Sequence, residues 1–307
     1  MSAFRPAQAQ RWNLYAGFQA AMDAPAARRE LWGWCALALL SLAVAGVFAL
    51  LVALSRVPGF ADVAPLPVQF FQKGLVVHVV FSFVVWYLSV MGAMSCIAAH
   101  RIAGGRARGA ALGRLAQWCG FAGAVLLFVS GFMDRGAPSL NNYVPMLMDP
   151  IYYAGLGALA AGVALASARL LICIPGRDGP LEPVSVGAVN AALLFALALV
   201  CVGVAATSLA GDPVDGAYFE HLFWGGGHVL QFVNVSLLLG AWYVLGGLAL
   251  EMPLVRPNQL SLAQVLVLGA ALLAPLFYVL FPAFSVDQAA AFTWLQYGLA
   301  PPTLIAA

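Results

Sequence analysis

Residues 218–245, YFEHLFWGGGHVLQFVNVSLLLGAWYVL, decide how the chain is read. The stretch is long and apolar enough to lie in lipid, yet Glu220, His221 and His228 enter it. A polar imidazole inside a bilayer is costly, and ionisable residues within membrane segments point to function by default. His221 and His228 stand seven positions apart, two helical turns, so a continuous helix projects both from one face. His228 is therefore a candidate metal or cofactor ligand.

Working outward, the rest of the chain has the same character. It is 63% apolar and only 8% charged, with a mean hydropathy of +0.93. Soluble domains carry about a quarter charged residues, so this is an integral membrane protein. The apolar runs are near the roughly 20 residues a helix needs to cross hydrocarbon, which excludes the short alternating strands of a barrel. Spans are expected at about Leu31–Leu54, Phe70–Ala99, Leu115–Met133, Ile151–Ile174 and Val184–Leu209. The opening stretch forms the sixth, ending near Leu250, and Leu260–Phe281 the seventh. The tail after Phe281 reads as a loop and an eighth span. The fold class is thus all-α, a polytopic transmembrane bundle of about eight spans.

Residues 1–30 are too polar to span and lack the features of a signal peptide. With Arg11, Trp12, Tyr15 and Phe18 they read as a cytoplasmic or interfacial segment, and residues 31–307 as a single membrane domain. The ending APPTLIAA is apolar and has no charged flank, so the chain is expected to be the first part of a longer reading. Orientation follows from the 14 basic residues. A cytoplasmic N-terminus leaves only Arg56, Lys73 and Arg135 outside, a strong positive-inside bias. Asp62, Asp134, Asp149, Asp212, Asp215, Glu220 and Asp287 then face outward. In this topology His78 and His228 lie at similar depth in the outer part of the membrane, and His100 lies at the cytoplasmic end among headgroups.

Several function classes drop out. The five cysteines sit in separate spans or at their edges with no CxxC pair, which argues against disulfide frameworks, zinc sites and iron-sulfur clusters. Phosphate-binding glycine loops and a nucleophile elbow are absent, and AGGRARGAALGR reads as a solvated loop or anionic-lipid contact, so no nucleic-acid partner is expected. No span carries a carboxylate at its centre, so proton pumping is not supported. A transporter would show paired broken helices related by a repeat, and none is visible.

The segment GLVVHVVFSFVVWYLSVMGAM, residues 74–94, resembles the second helix of heme-copper oxidase subunit I. EHLFWGGGHVLQFVNVSLLLGAWYVL, residues 220–245, is similar to that family's sixth helix. FSVDQAAAFTWLQYGLAPPT, residues 284–303, resembles the approach from its seventh helix into its eighth. The closest flavour is the C-type oxidase and nitric oxide reductase branch. The resemblance implies that His78 ligates a low-spin heme and that His228 stands at the catalytic centre, where the family's histidine binds copper. Gly227 and Gln231 then border the cofactor.

Two departures qualify what the resemblance implies. The family's seventh helix carries an adjacent histidine pair, and LLAPLFYVLFPAF, residues 272–284, has none. A copper at His228 would be short of nitrogen donors. The family's tenth helix supplies axial heme ligands, and eight spans do not reach it.

The activity implied is reduction of dioxygen or nitric oxide in a respiratory chain. The implied partners are other membrane subunits and an electron donor such as a cytochrome c, in the inner membrane of a bacterium. The alternative is a catalytically degenerate scaffold that serves as a membrane anchor, in heme or metal handling, or in assembly. Plain packing readings stand beside each residue. His78 could bond a neighbouring carbonyl, the Gly225–Gly227 run could serve close helix contact, and Gln231 could be interhelical glue.

Overall fold

A computed structural model describes residues 23–64, 66–67, 69–104, 108–140, 145–175, 177, 181–250 and 255–306. The expected interfacial segment with Arg11, Trp12, Tyr15 and Phe18 lies outside the described residues. The protein is a helical bundle: α1 (Pro25–Leu54), the short α2 (Phe60–Val63), α3 (Phe70–Val80) and α4 (Trp86–Ile102) open it. They are followed by α5 (Ala110–Ser130), α6 (Pro150–Cys173), α7 (Pro183–Ser208), α8 (Gly216–Ala249) and α9 (Pro257–Ala271). The chain closes with α10 (Phe277–Leu280), α11 (Val286–Leu295) and α12 (Ala300–Ala306).

Among the described residues, seven helical segments are long and apolar enough to cross a membrane, and they match the first seven expected spans. The eighth segment is a broken helix, with a 3₁₀ turn at Gln296–Leu299 between α11 and α12. Three further details escaped the hydropathy pattern. α1 begins at Pro25, ahead of the apolar run, because proline at the first helical position needs no partner for a missing N–H. The second span carries a π-helical turn, Phe81–Val85, between α3 and α4. The loop before α6 contains an antiparallel pair, β1 (Ala137–Ser139) and β2 (Met146–Met148), with Ala137 opposite Met148.

Helix starts follow local chemistry. Asp149 accepts from the Ile151 amide at 2.8 Å ahead of α6, and Asp215 accepts from the Tyr218 amide at 2.8 Å ahead of α8. At α11, Ser285 accepts from the Gln288 amide while the Gln288 side chain accepts from the Phe284 amide. Neither α1 nor α5 has such a side-chain cap.

Helices α5 and α6 pack most intimately, as do α7 and α8, and α4 lies against α1, α6 and α7. Small residues set the first of these contacts. A Cβ on Gly123 would lie 2.6 Å from the Leu159 nitrogen, and one on Gly162 would lie 2.7 Å from the Ala116 carbonyl, so only glycine lets the two backbones approach. At the end of the bundle where α3 begins, Phe48, Phe70, Phe128 and Phe132 interlock from α1, α3 and the end of α5. Lys73, expected outside, is only 2% exposed there and donates to the Met133 and Arg135 carbonyls at 2.8 and 3.0 Å. It satisfies backbone acceptors just beyond α5. Large apolar side chains such as Trp32, Leu39, Trp118, Val125 and Val279 cover the outside of the bundle, as a lipid-facing surface requires.

Candidate functional site

His78 lies on α3 and is half-buried. Its Nδ1 is 2.8 Å from the Ala45 carbonyl of α1. A carbonyl only accepts, so Nδ1 carries the proton and Nε2 the lone pair. A hydrogen bond from one ring nitrogen to a backbone carbonyl is how a metal-ligating histidine is usually held in orientation. The packing reading and the ligand reading of His78 therefore coexist, because the bond to Ala45 uses only one nitrogen. Ser82 on the next turn donates to the His78 carbonyl at 2.7 Å, closing its own hydrogen bond within the helix.

His228 sits one third of the way along α8 and is 4% exposed. Its Nδ1 lies 2.7 Å from the Trp224 carbonyl one turn earlier, so the proton again sits on Nδ1. The ring lies between Trp224 and Phe292, with centroids at 5.0 and 6.0 Å. The His228 carbonyl accepts from Gln296 of the broken eighth segment at 3.2 Å. Two of the three preceding glycines serve packing. A Cβ on Gly226 would lie 2.6 Å from Val202 and 3.0 Å from the Ala198 carbonyl of α7, and one on Gly225 would strike the Tyr278 hydroxyl and Phe292. Gly227 and Gln231 are both half-buried, and Asn234 is exposed.

Toward the start of α8, a cavity of about 90 Å³ opens between Glu220, His221, Trp224, Tyr278 and Gln288. It holds a few waters at most. His221 is stacked on Phe284 with ring centroids 4.3 Å apart, which leaves it an interface residue. α3, which carries His78, lies on α1 and the β-strands, whereas α8, which carries His228, lies chiefly on α7 and also touches α9, α11 and α4.

The largest difference from expectation is His100. It is 4% exposed, packed among protein side chains near the end of α4. Arg169 on α6 is 2% exposed and pairs with Glu30 of α1. Arg169 Nη2 also lies 3.3 Å from His100 Nε2, and its Nε donates to the Arg108 carbonyl at 3.0 Å. Glu30 Oε2 is 3.6 Å from the same histidine nitrogen. Gln117 of α5 donates to the Glu30 carbonyl, and Arg101 forms a bidentate pair with Glu182 at the start of α7. Four helices are tied together at this end by charge. The only sequence signal was the presence of Glu30, His100 and Arg169 near the ends of three apolar runs.

Glu30, Cys96 and His100 place potential ligand atoms within 4.8 Å of one another, the one such trio among the described residues. The Arg169 guanidinium already provides the positive charge that a metal would bring to Glu30. No such trio forms around His228 among the described residues, whereas a copper ion needs several nitrogen donors.

Comparison with known proteins places this geometry in a lineage. An uncharacterised protein of Aquifex aeolicus is 32% identical over 220 residues, which cover 69% of this chain and 52% of that protein. An uncharacterised protein of Rickettsia prowazekii is 24% identical over 232 residues, covering 68% of this chain and 45% of that protein. The chain therefore spans about half the length of these curated relatives. The family described as cytochrome c and quinol oxidase polypeptide I matches residues 31–307, and the chain belongs to that family, the heme-copper oxidase subunit I superfamily.

Proposed function

We propose that this protein is the membrane-embedded, heme-holding part of a respiratory oxidoreductase that reduces dioxygen or nitric oxide. The observation that carries the reading is His78, whose Nδ1 is committed to the Ala45 carbonyl and whose Nε2 keeps its lone pair. A heme held there supplies one-electron transfer. The chain's own contribution is orientation, with α1 fixing the plane of the imidazole through Ala45 and the α1–α3 contact. Partner membrane subunits, an electron donor such as a cytochrome c, and the bacterial inner membrane follow from the same reading.

A second reading is favoured by one feature. His228 is wedged between Trp224 and Phe292 and holds its own helix through Trp224, an arrangement that suits a catalytically degenerate scaffold in heme handling or assembly. Reduced-minus-oxidised and carbon-monoxide difference spectra of the purified protein, with iron and copper measured per chain, separate the two. Low-spin heme bands that disappear in His78→Ala, with copper well below one per chain, are the expected result. A folded protein without heme absorption overturns the heme reading and leaves the scaffold.

A further inference from the structure

The end of the bundle that holds Glu30, His100 and Arg169 also contains a cavity of about 820 Å³, within the size range of small-molecule sites. Its lining is unusual in charge. Arg29, Arg114 and Arg169 border it, against Glu30 as the one acidic residue. Arg169 is committed to Glu30, whereas Arg29 and Arg114 form no ion pair among the described residues. Two long helices also start at its wall: Ala24 and Ala26 come from the beginning of α1, and Ala110 is the first residue of α5. Neither helix has a side-chain cap or an acidic residue in its first turn, so both present unsatisfied amides and the positive end of the helix dipole.

His100 supplies an independent observation. Its Nε2 lies against both the Arg169 guanidinium and the Glu30 carboxylate, at 3.3 and 3.6 Å. Its Nδ1 belongs to a side chain 4% exposed that borders the cavity, and has no hydrogen-bond partner among the described residues. A buried ring nitrogen left without a partner calls for one from a ligand. The remaining wall is apolar, with Phe121 and Trp118, and Trp118 is among the side chains that face the lipid.

We infer that this cavity binds the headgroup of an acidic phospholipid. The headgroup lies against Arg29, Arg114, the two helix starts and the His100 ring, and an acyl chain leaves along Trp118 and Phe121. Basic recesses between membrane helices bind anionic headgroups for this reason. A bare divalent cation meets the opposite charge, and a zwitterionic lipid gains nothing from the excess arginines. The inference is independent of the heme reading, because the site lies at the opposite end of the bundle from His78.

Native mass spectrometry of the full chain in detergent tests it, with phosphatidylglycerol, phosphatidylcholine and inorganic phosphate as probes. One phosphatidylglycerol is expected to be retained per chain in preference to phosphatidylcholine. An Arg29→Gln/Arg114→Gln variant is expected to weaken that binding by about tenfold, since each arginine near an anionic headgroup contributes roughly a few-fold. Trp118→Ala/Phe121→Ala leaves every charge in place and is expected to weaken lipid binding without altering retention of phosphate. Equal retention of the two lipids overturns the proposal, as does undiminished phosphatidylglycerol binding by the arginine variant with an unchanged melting curve. Complete displacement of the lipid by phosphate also overturns it and identifies a free-anion site instead.

Discussion

At the scale of single residues, the distinction between His78, His228 and His100 lies in what each ring nitrogen meets. The first two donate from Nδ1 to a backbone carbonyl, Ala45 on another helix and Trp224 on the same helix. His100 instead sets its Nε2 against the buried Arg169 guanidinium and the Glu30 carboxylate. The Glu30–Arg169 pair beside it has both side chains largely out of solvent. Removing one member of a buried pair strands the other charge, which is strongly destabilising even where the intact pair contributes little. Glu30→Gln is therefore expected to cost about 3 kcal/mol, read as a lower melting temperature and a lower denaturant midpoint in detergent. A neutral result would mean that Arg169 reaches water or a headgroup in the folded protein. None of this was visible when each residue was read in its own segment, because Glu30, His100 and Arg169 lie far apart in the chain.

At the scale of elements, glycine placement explains which helices pair. α5 and α6 touch through Gly123 and Gly162, where an added Cβ would enter the neighbouring backbone. Backbone cannot yield as a flexible side chain can. Gly123→Val is expected to destabilise the protein by about 1–3 kcal/mol through overpacking, whereas Gly157→Ala, where added volume meets nothing, should leave the thermal transition in place. Thermal unfolding of both variants side by side makes the comparison. The sequence announced Gly225–Gly227 as the conspicuous run and left open whether a flat cofactor or a helix approached it. Gly226 meets α7, and Gly225 meets Tyr278 and Phe292. The broken eighth segment has a similar origin, since Gly298, Pro301 and Pro302 sit where a continuous helix would need propagation.

At the scale of the whole molecule, the two ends of the bundle differ in charge chemistry. One end gathers Glu30, His100, Arg101, Arg169 and Glu182, and the other is closed by aromatic rings and Lys73. On the positive-inside rule, we propose that the arginine-rich first end faces the cytoplasm. Single added cysteines check this: Asn258→Cys, at the start of α9, should react with a membrane-impermeant maleimide only after the membrane is opened. Asp212→Cys, between α7 and α8, should react from outside in intact spheroplasts. The reverse pattern would invert the topology and place His78 on the cytoplasmic side.

The sequence by itself determined the class of the molecule, seven of its spans and the family to which it belongs. Those features rest on local quantities, because the length of an apolar run decides whether it can cross hydrocarbon and the family match extends along residues 31–307. Tertiary structure decided that Lys73 and Arg169 are buried rather than solvated, that His100 joins a charged cluster beside a cavity, and that His228 is enclosed by aromatic rings. Each of those outcomes depends on a partner from another helix. In a chain this apolar, hydropathy reports where a residue meets lipid or water but carries no record of which helix lies beside it.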